Sequence, residues 1–217
     1  NTININYAIL GLEESCSGDP ARRAGNEFLF QLQAHSNIAL FKKYKVTKVI
    51  TTCPHCFNIF KNEYPDLGAK FEVYHHTEYL YYLFDSGKLN IEKGYFKGQK
   101  ITFHDPCYLG RSNGVYEAPR ELLKILDFDL IEMKRSKSSS LCCGAGGSQM
   151  FKEPERGDKD INIERTEEAL SLNPSIIATG CPFCKTMLVD GLKNKEKEND
   201  VQVLDIAELI LQAKQLS

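Results

Sequence analysis

A twelve-residue segment occurs twice in this chain. Val49-Ile-Thr-Thr-Cys-Pro-His-Cys-Phe-Asn-Ile-Phe60 aligns with Ile177-Ala-Thr-Gly-Cys-Pro-Phe-Cys-Lys-Thr-Met-Leu188. Each copy is a short β-branched run, a Cys-Pro-x-Cys and then a helix-like apolar pattern. A second pair follows downstream: Phe71-Glu-Val-Tyr-His-His-Thr-Glu-Tyr-Leu80 answers Val201-Gln-Val-Leu-Asp-Ile-Ala-Glu-Leu-Ile210, a strand feeding a helix in both. Upstream, 36 residues separate Cys16 from Cys53 and 37 separate Cys143 from Cys181, so spacing sets Cys16 against the Cys142-Cys143 pair. Such self-similarity restricts the fold to two similar halves.

Each half alternates strand and helix patterns. The first predicts strands near Tyr7–Leu10, Lys48–Thr52 and Phe71–Tyr74, with helices near Ala21–Ala34, Ile38–Tyr44, Pro54–Glu63 and Thr77–Ser86. The second predicts strands near Lys100–His104, Leu130–Met133, Ser175–Thr179 and Val201–Leu204, with helices near Ala118–Leu126, Asn162–Leu172, Pro182–Lys193 and Ile206–Gln215. Alternation of this kind argues for parallel sheets flanked by helices. The expected class is α/β, with two pseudo-repeated halves, each a small parallel sheet flanked by helices. The halves run over residues 1–95 and 96–217 and meet in the Gly/Lys-rich stretch Ser86–Gly98. Two loops interrupt the pattern, Arg135–Gly147 and Glu153–Asp160. Phe28, Phe30, Tyr79, Tyr82 and Leu83 have helical core spacing and need no cofactor. Asn1 is not a start methionine, and the opening residues already read as a strand, which suggests a piece of something longer.

Composition removes several function classes. Hydrophobic residues make up 42 % and charged residues 26 % of the 217, enough for a core and too apolar for disorder. The net charge of −2, with no run of like charge, speaks against nucleic-acid binding and a polybasic anchor. No apolar stretch reaches the roughly 20 residues that span a bilayer, and no signal peptide opens the chain. The eight cysteines therefore read as metal or redox ligands in a reducing compartment, not as a disulfide scaffold.

All eight cysteines fall into two sets. The second half holds Cys107, the pair Cys142-Cys143 followed by Gly144, and Cys181-Pro-Phe-Cys184; the first holds Cys16 and Cys53-Pro-His-Cys56. Gathered sulfur ligands select iron-sulfur clusters, zinc or copper(I) over hard cations. A Cys-Pro-x-Cys after a strand sets both sulfurs in the first turn of a helix, where unpaired N–H groups favour thiolate. Proline suits that turn, because its missing N–H would have had no partner. Ligands of open α/β sheets collect at the carboxyl ends of strands, so Cys107, the Cys142-Cys143 loop and Cys181 can converge. Four cysteines complete a cubane or a tetrahedral zinc site. The fifth suggests an irregular cluster, or a ligand free to exchange with a substrate sulfur. Gly144, Gly146 and Gly147 let backbone N–H groups approach the sulfides. The alternatives are buried apolar thiols, a vicinal disulfide at Cys142-Cys143, and, for Cys53 and Cys56, a thioredoxin-like dithiol.

The second-half motif resembles the Cys-Cys-Gly cysteine-rich domain found in heterodisulfide reductases, in the iron-sulfur subunits of glycolate and lactate oxidases, and in anaerobic glycerol-3-phosphate dehydrogenases. Glu14-Ser-Cys-Ser-Gly-Asp-Pro-Ala-Arg-Arg23, Thr52-Cys-Pro-His-Cys-Phe57 and His104-Asp-Pro-Cys-Tyr-Leu-Gly-Arg111 look closest to iron-sulfur oxidoreductases related to electron-transfer-flavoprotein:quinone reductases. The resemblance implies an oxidoreductase in which Cys107, Cys142, Cys143, Cys181 and Cys184 hold a noncubane 4Fe-4S cluster. In the first half Ser15-Cys16-Ser17 replaces Cys-Cys-Gly and the leading cysteine would lie before Asn1, leaving Cys16, Cys53 and Cys56 for a second 4Fe-4S cluster or zinc. The implied partners are a flavoprotein or dehydrogenase donor and a quinone-reducing or membrane-bound partner domain, with no nucleic acid. The acceptor is a quinone or a disulfide. The implied place is the cytoplasm, or the cytoplasmic face of the membrane within a larger protein. A zinc-stabilised interaction module without redox activity is the alternative.

The remaining polar residues are read next to these ligands. His104 could tune the cluster by hydrogen bonding or relay a proton; alternatively His104 and Asp105 cap the following turn. His55 shapes the pocket, and His75 and His76 close a strand before an N-cap at Thr77. Asp19, Arg22 and Arg23 form either an anion site or an exposed ion pair at a helix start.

Overall fold

The computed structural model describes residues 5–91, 94–153 and 156–215. The opening residues 1–4, together with positions 92–93 of the expected boundary and 154–155 of the second loop, lie outside them. Among the described residues there are two parallel sheets. The first pairs β1 (Lys48–Thr51) with β2 (Glu72–His75). The second has the order β4-β3-β5-β6, from β3 (Lys100–Phe103), β4 (Asp129–Leu130), β5 (Ile176–Thr179) and β6 (Gln202–Asp205). This is the expected α/β class with two small parallel sheets.

Eight α-helices flank the sheets among the described residues: α1 (Asp19–Arg23), α2 (Glu27–Lys43), α3 (Pro54–Asn58), α4 (His76–Asp85), α5 (Glu117–Ile125), α6 (Ile161–Leu170), α7 (Pro182–Asn194) and α8 (Ile206–Gln215). The repeat is visible in space: β1, α3, β2 and α4 follow one another as β5, α7, β6 and α8 do. Pro54 and Pro182 each occupy the first helical position after an extended cysteine. The four residues of β5 are all buried, as expected for a central parallel strand. Leu83 of α4 joins Phe103, Leu122, Leu123, Ile206 and Leu209 in the largest core, so α4 packs into the second half. His76 Nε2 also meets Asp205 Oδ1 at 2.9 Å across the halves.

Five local expectations are corrected. The strand expected at Leu130–Met133 is only Asp129–Leu130, where its ladder with β3 ends. Tyr7–Leu10 forms no strand: Tyr7 and Ile9 are 60 % and 78 % exposed. Its counterpart β4 is held by pairing with β3, and the described first half has no counterpart of β3 to supply that ladder. The break in the first helical region falls at residues 24–26 rather than near residue 36. Gly25 turns there with a positive φ, and the Asn26 side chain caps α2 by accepting from Leu29 N. Asn37 does not stop α2, because its side chain is buried and bonded elsewhere. The region after Cys53 is a short α-helix that widens into a π-turn over Ile59–Glu63. Phe28 and Tyr82, expected in the core, are 76 % and 51 % exposed, whereas Phe30 and Leu83 are buried. No helix among the described residues is long and apolar enough to cross a membrane.

Candidate metal centre

The second-half cysteines converge at the carboxyl ends of the strands. Cys107 lies just beyond β3; Cys181 ends the segment after β5 as the residue preceding α7, and Cys184 lies in the first turn of α7. Cys142 and Cys143 come from the loop after β4. Their side chains interact in the order Cys107, Cys142, Cys143, Cys184, Cys181. The row then crosses into the first half: Cys181 meets Cys53, and Cys53 meets Cys56. All eight thiols are free.

The row shares few negative charges. The Cys142 thiol is held far below its usual range, because Cys107 and Cys143 hydrogen-bond to its thiolate and the Gly144 and Gly146 N–H groups add to them. Burial would raise Cys181, but hydrogen bonds from Cys184 and Cys53 outweigh it and bring the thiol down to about 5. The neighbours move the other way. Cys143 is pushed up to about 12, chiefly by Cys142, and Cys53 to about 12, chiefly by Cys181. Cys107 is raised by Cys142 and burial, and Cys184 by Cys143, Cys181 and burial. Cys142 and Cys181 are therefore the two thiols held down, and each is flanked by thiols that are pushed up.

A pseudo-two-fold relation passes between the two Cys-Pro-x-Cys turns. Cys53 and Cys181 occupy equivalent places and meet each other. His55 and Phe183, the equivalent x residues, have ring centroids 5.1 Å apart. The two cysteine sets, far apart in sequence, thus lie side by side. His55 is buried as expected of a pocket-shaping residue, between Phe183 and Tyr108, and its Nδ1 is 2.9 Å from Asp19 Oδ2.

Local geometry corrects the register of the first-half motif. Gly18 N–H reaches Cys16 Sγ at 3.4 Å, as Gly144 N–H reaches Cys142 Sγ at 3.3 Å. Both glycines have a φ of +92°, a conformation open to glycine and strained for other residues. Cys16-Ser17-Gly18 therefore corresponds to Cys142-Cys143-Gly144. Spacing alone pairs Cys16 with Cys143, because the connection in the first half is two residues shorter. Ser17 Oγ is 3.2 Å from Cys56 Sγ, and Cys16 is exposed. Asn37 Nδ2 donates to the Cys16 carbonyl at 2.9 Å, and Tyr64 Oη donates to the Ser17 carbonyl at 2.9 Å. Sequence reasoning missed both supports; the only signal was a polar Asn37 inside an apolar helical run.

His104 faces the second-half sulfurs. One of its ring nitrogens and the sulfurs of Cys143 and Cys184 all lie within 4.8 Å of one another. Arg165 Nε donates to His104 Nδ1 at 2.9 Å. An arginine can only donate, so Nδ1 is the bare nitrogen and Nε2 carries the hydrogen. Burial, then the Arg165 charge, lowers the imidazole to about 3, which keeps it neutral. Nε2 is buried without a protein partner. His104 thus keeps one unspent hydrogen, on Nε2, inside the buried site. Asp105 does not cap a turn either. It forms a bidentate pair with Arg120 at 2.8 and 2.9 Å and accepts from Lys137 N at 2.7 Å, tying β3 to the loop that carries Cys142 and Cys143. Arg165 also holds that loop, through the Arg135 carbonyl and Ser140 Oγ. Neither arginine was marked by the sequence pattern.

The other candidates are structural. His75 itself caps α4, with its Nδ1 toward Thr77 N and Oγ1, as the Asp205 carboxylate caps α8. His76 is the first residue of α4, so the N-cap falls two residues before Thr77. Asp19 is buried and bonded to His55 and Arg23, while Arg22 and Arg23 both reach Glu63, so no charge is left over for an anion site. The donor set around the row is soft, buried and grouped, and it fits a thiolate-bound metal or cluster.

A family model for the cysteine-rich domain matches residues 1–61 and 101–189. The chain is 52 % identical over 214 residues to the probable iron-sulfur-binding oxidoreductase FadF of Bacillus subtilis, covering 98 % of this chain and 30 % of that protein. It is 45 % identical over 219 residues to the EtfAB:quinone oxidoreductase of Syntrophomonas wolfei, again 98 % of this chain and 30 % of the relative. With one polypeptide of the dihydromethanophenazine:CoB–CoM heterodisulfide reductase of Methanosarcina barkeri it shares 38 % identity over 224 residues, 100 % of this chain and 54 % of that polypeptide. The chain therefore spans about a third to a half of the length of these relatives.

Proposed function

The chain belongs to the cysteine-rich domain family, and from that premise we propose that it is an iron-sulfur electron-transfer module of an oxidoreductase. The observation that carries the reading is the row of five second-half sulfurs at the strand ends, with a buried N–H donor beside it. Cys107, Cys142, Cys143, Cys181 and Cys184 would hold a noncubane 4Fe-4S cluster. Cys16, Cys53 and Cys56 would hold a second metal centre, a 4Fe-4S cluster or zinc. When bound, such a cluster supplies one-electron chemistry at a potential set by burial and by hydrogen bonds to sulfur.

The protein's own residues do the rest. Gly144 and Gly146 N–H groups already point at Cys142, where negative charge collects. His104, beside Cys143 and Cys184 and with its tautomer fixed by Arg165, would donate to the bound cluster. Arg120, Asp105 and Arg165 fix the loop that closes over the site. The electron donor would be a flavoprotein or dehydrogenase. The acceptor would be a quinone reached through a membrane-bound partner, or a disulfide. The names of the relatives, which include an EtfAB:quinone oxidoreductase and a heterodisulfide reductase, support both routes.

The test is anaerobic purification followed by iron, sulfide and zinc analysis. The expected result is broad visible absorbance with stoichiometric iron and sulfide. Cys143→Ser should abolish or convert the second-half signal. Colourless protein with zinc at both sites, unchanged by anaerobic cluster reconstitution, would overturn the reading in favour of a zinc-stabilised interaction module.

A further inference from the structure

We infer that Ser17 is a metal ligand, its oxygen standing in the first half where the Cys143 sulfur stands in the second. The inference rests on the reading that the first site holds a metal centre. It adds to that centre a fourth donor of a different chemical kind, beside Cys16, Cys53 and Cys56.

Three independent features put Ser17 in register with Cys143. The residue after each is a glycine with a φ of +92°. The N–H of that glycine meets the sulfur two residues back, at 3.4 Å in the first half and 3.3 Å in the second. Each side chain then faces the second cysteine of the local Cys-Pro-x-Cys: Ser17 Oγ lies 3.2 Å from Cys56 Sγ, and Cys143 interacts with Cys184. Burial agrees as well, since both residues are 3 % exposed.

The loop is built to hold that hydroxyl in place. Tyr64, itself fully buried, donates to the Ser17 carbonyl, and Asn37 bridges Tyr64 to the Cys16 carbonyl. A serine needed only as a turn residue would face solvent; this one is turned inward onto a sulfur. On ligation the hydroxyl proton leaves to solvent, as the proton of a thiol would, and the oxygen binds the metal. Oxygen is the harder donor and favours the more oxidised metal. The two halves thus present unequal sites, and an iron centre in the first would accept an electron less readily than an all-sulfur version of itself.

The 217-residue chain, reconstituted anaerobically, is compared with Ser17→Ala and Ser17→Cys by iron, zinc and sulfide analysis, Mössbauer and EPR spectra, and redox titration. The second-half signal serves as an internal reference. Ser17→Ala should lose metal at the first site only. Ser17→Cys should keep the metal, shift its spectrum toward all-sulfur ligation and raise its potential. Full metal content in Ser17→Ala with an unaltered spectrum would overturn the assignment, leaving Ser17 as a hydrogen-bond donor to Cys56. Should the alanine variant fail to fold, an identical spectrum in wild type and Ser17→Cys overturns it equally. Absence of iron from the wild-type chain would instead overturn the functional reading, whereas first-site metal and spectra indifferent to every Ser17 variant overturn this inference alone.

Discussion

Replacing His104 by leucine removes the buried N–H that faces the second-half sulfurs from the β3 side. The geometry fixes the sign of the effect. Nδ1 is occupied by Arg165, so Nε2 carries the hydrogen; it has no partner within the protein, and a cluster on the neighbouring sulfurs, more negative when reduced, would be its acceptor. Loss of the donor destabilises the reduced state more than the oxidised one, so the potential falls. A hydrogen bond to a charged group is worth about 1.5–3 kcal/mol. If about 1 kcal/mol of that depends on the added electron, the shift is about 40 mV, because about 59 mV corresponds to a tenfold change in a one-electron equilibrium. His104→Gln is the control: its amide oxygen can accept from Arg165 while its amide nitrogen donates to sulfur. EPR-monitored redox titration with iron analysis should place leucine about 40 mV below wild type and glutamine between the two. Leucine protein with full iron content and an unshifted potential would refute the argument that His104 donates to the cluster.

Two further outcomes follow from the supports. Arg120→Met leaves the Asp105 carboxylate buried without its guanidinium partner, and removing one member of a buried pair costs about 3–5 kcal/mol. Denaturant unfolding should show that loss, and Asp105→Asn in the same chain should recover part of it. Gly191→Ala would bring a methyl group to 2.0 Å from Thr166 Oγ1 where α7 crosses α6. Overpacking of this kind costs about 1–3 kcal/mol; an unfolding midpoint equal to wild type would contradict the close packing of these helices.

The second half was legible in the sequence, apart from a β4 shorter and earlier than the expected Leu130–Met133, because its elements find their partners there. β3 and β5 read as β-branched and apolar runs, and each is covered on its flanks by elements that the same periodicity marks. The first half was legible only from Lys48 onward, where β1, α3, β2 and α4 repeat that unit. Tyr7–Leu10 has the composition of a strand and forms none, since composition supplies the propensity while the ladder must come from a neighbour. The α1–α2 break was misplaced for a related reason. Ser36-Asn37 looks like a helix breaker in one dimension, yet the Asn37 amide is spent on the Cys16 carbonyl and the Tyr64 hydroxyl, contacts 21 and 27 residues away.

The candidate site shows the same division between residue identity and arrangement. All eight cysteines could be picked out, because clustered thiols are rare and their chemistry is narrow. Their order in space could not. Spacing along the chain separates the sets into two sites, one per half, whereas the fold brings Cys53 against Cys181, joining Cys53 and Cys56 to the second-half row while Cys16 stays outside it. Register failed by a single residue at Cys16, and that residue changes the chemistry. Under the spacing alignment Ser17 is a substituted glycine; under the geometry of Gly18 it is a substituted cysteine. Backbone conformation decides between these, because a φ of +92° can be shared by Gly18 and Gly144 but would strain a serine set opposite either. The glycine, which carries no side chain, is therefore the residue that identifies the neighbouring oxygen as part of the site.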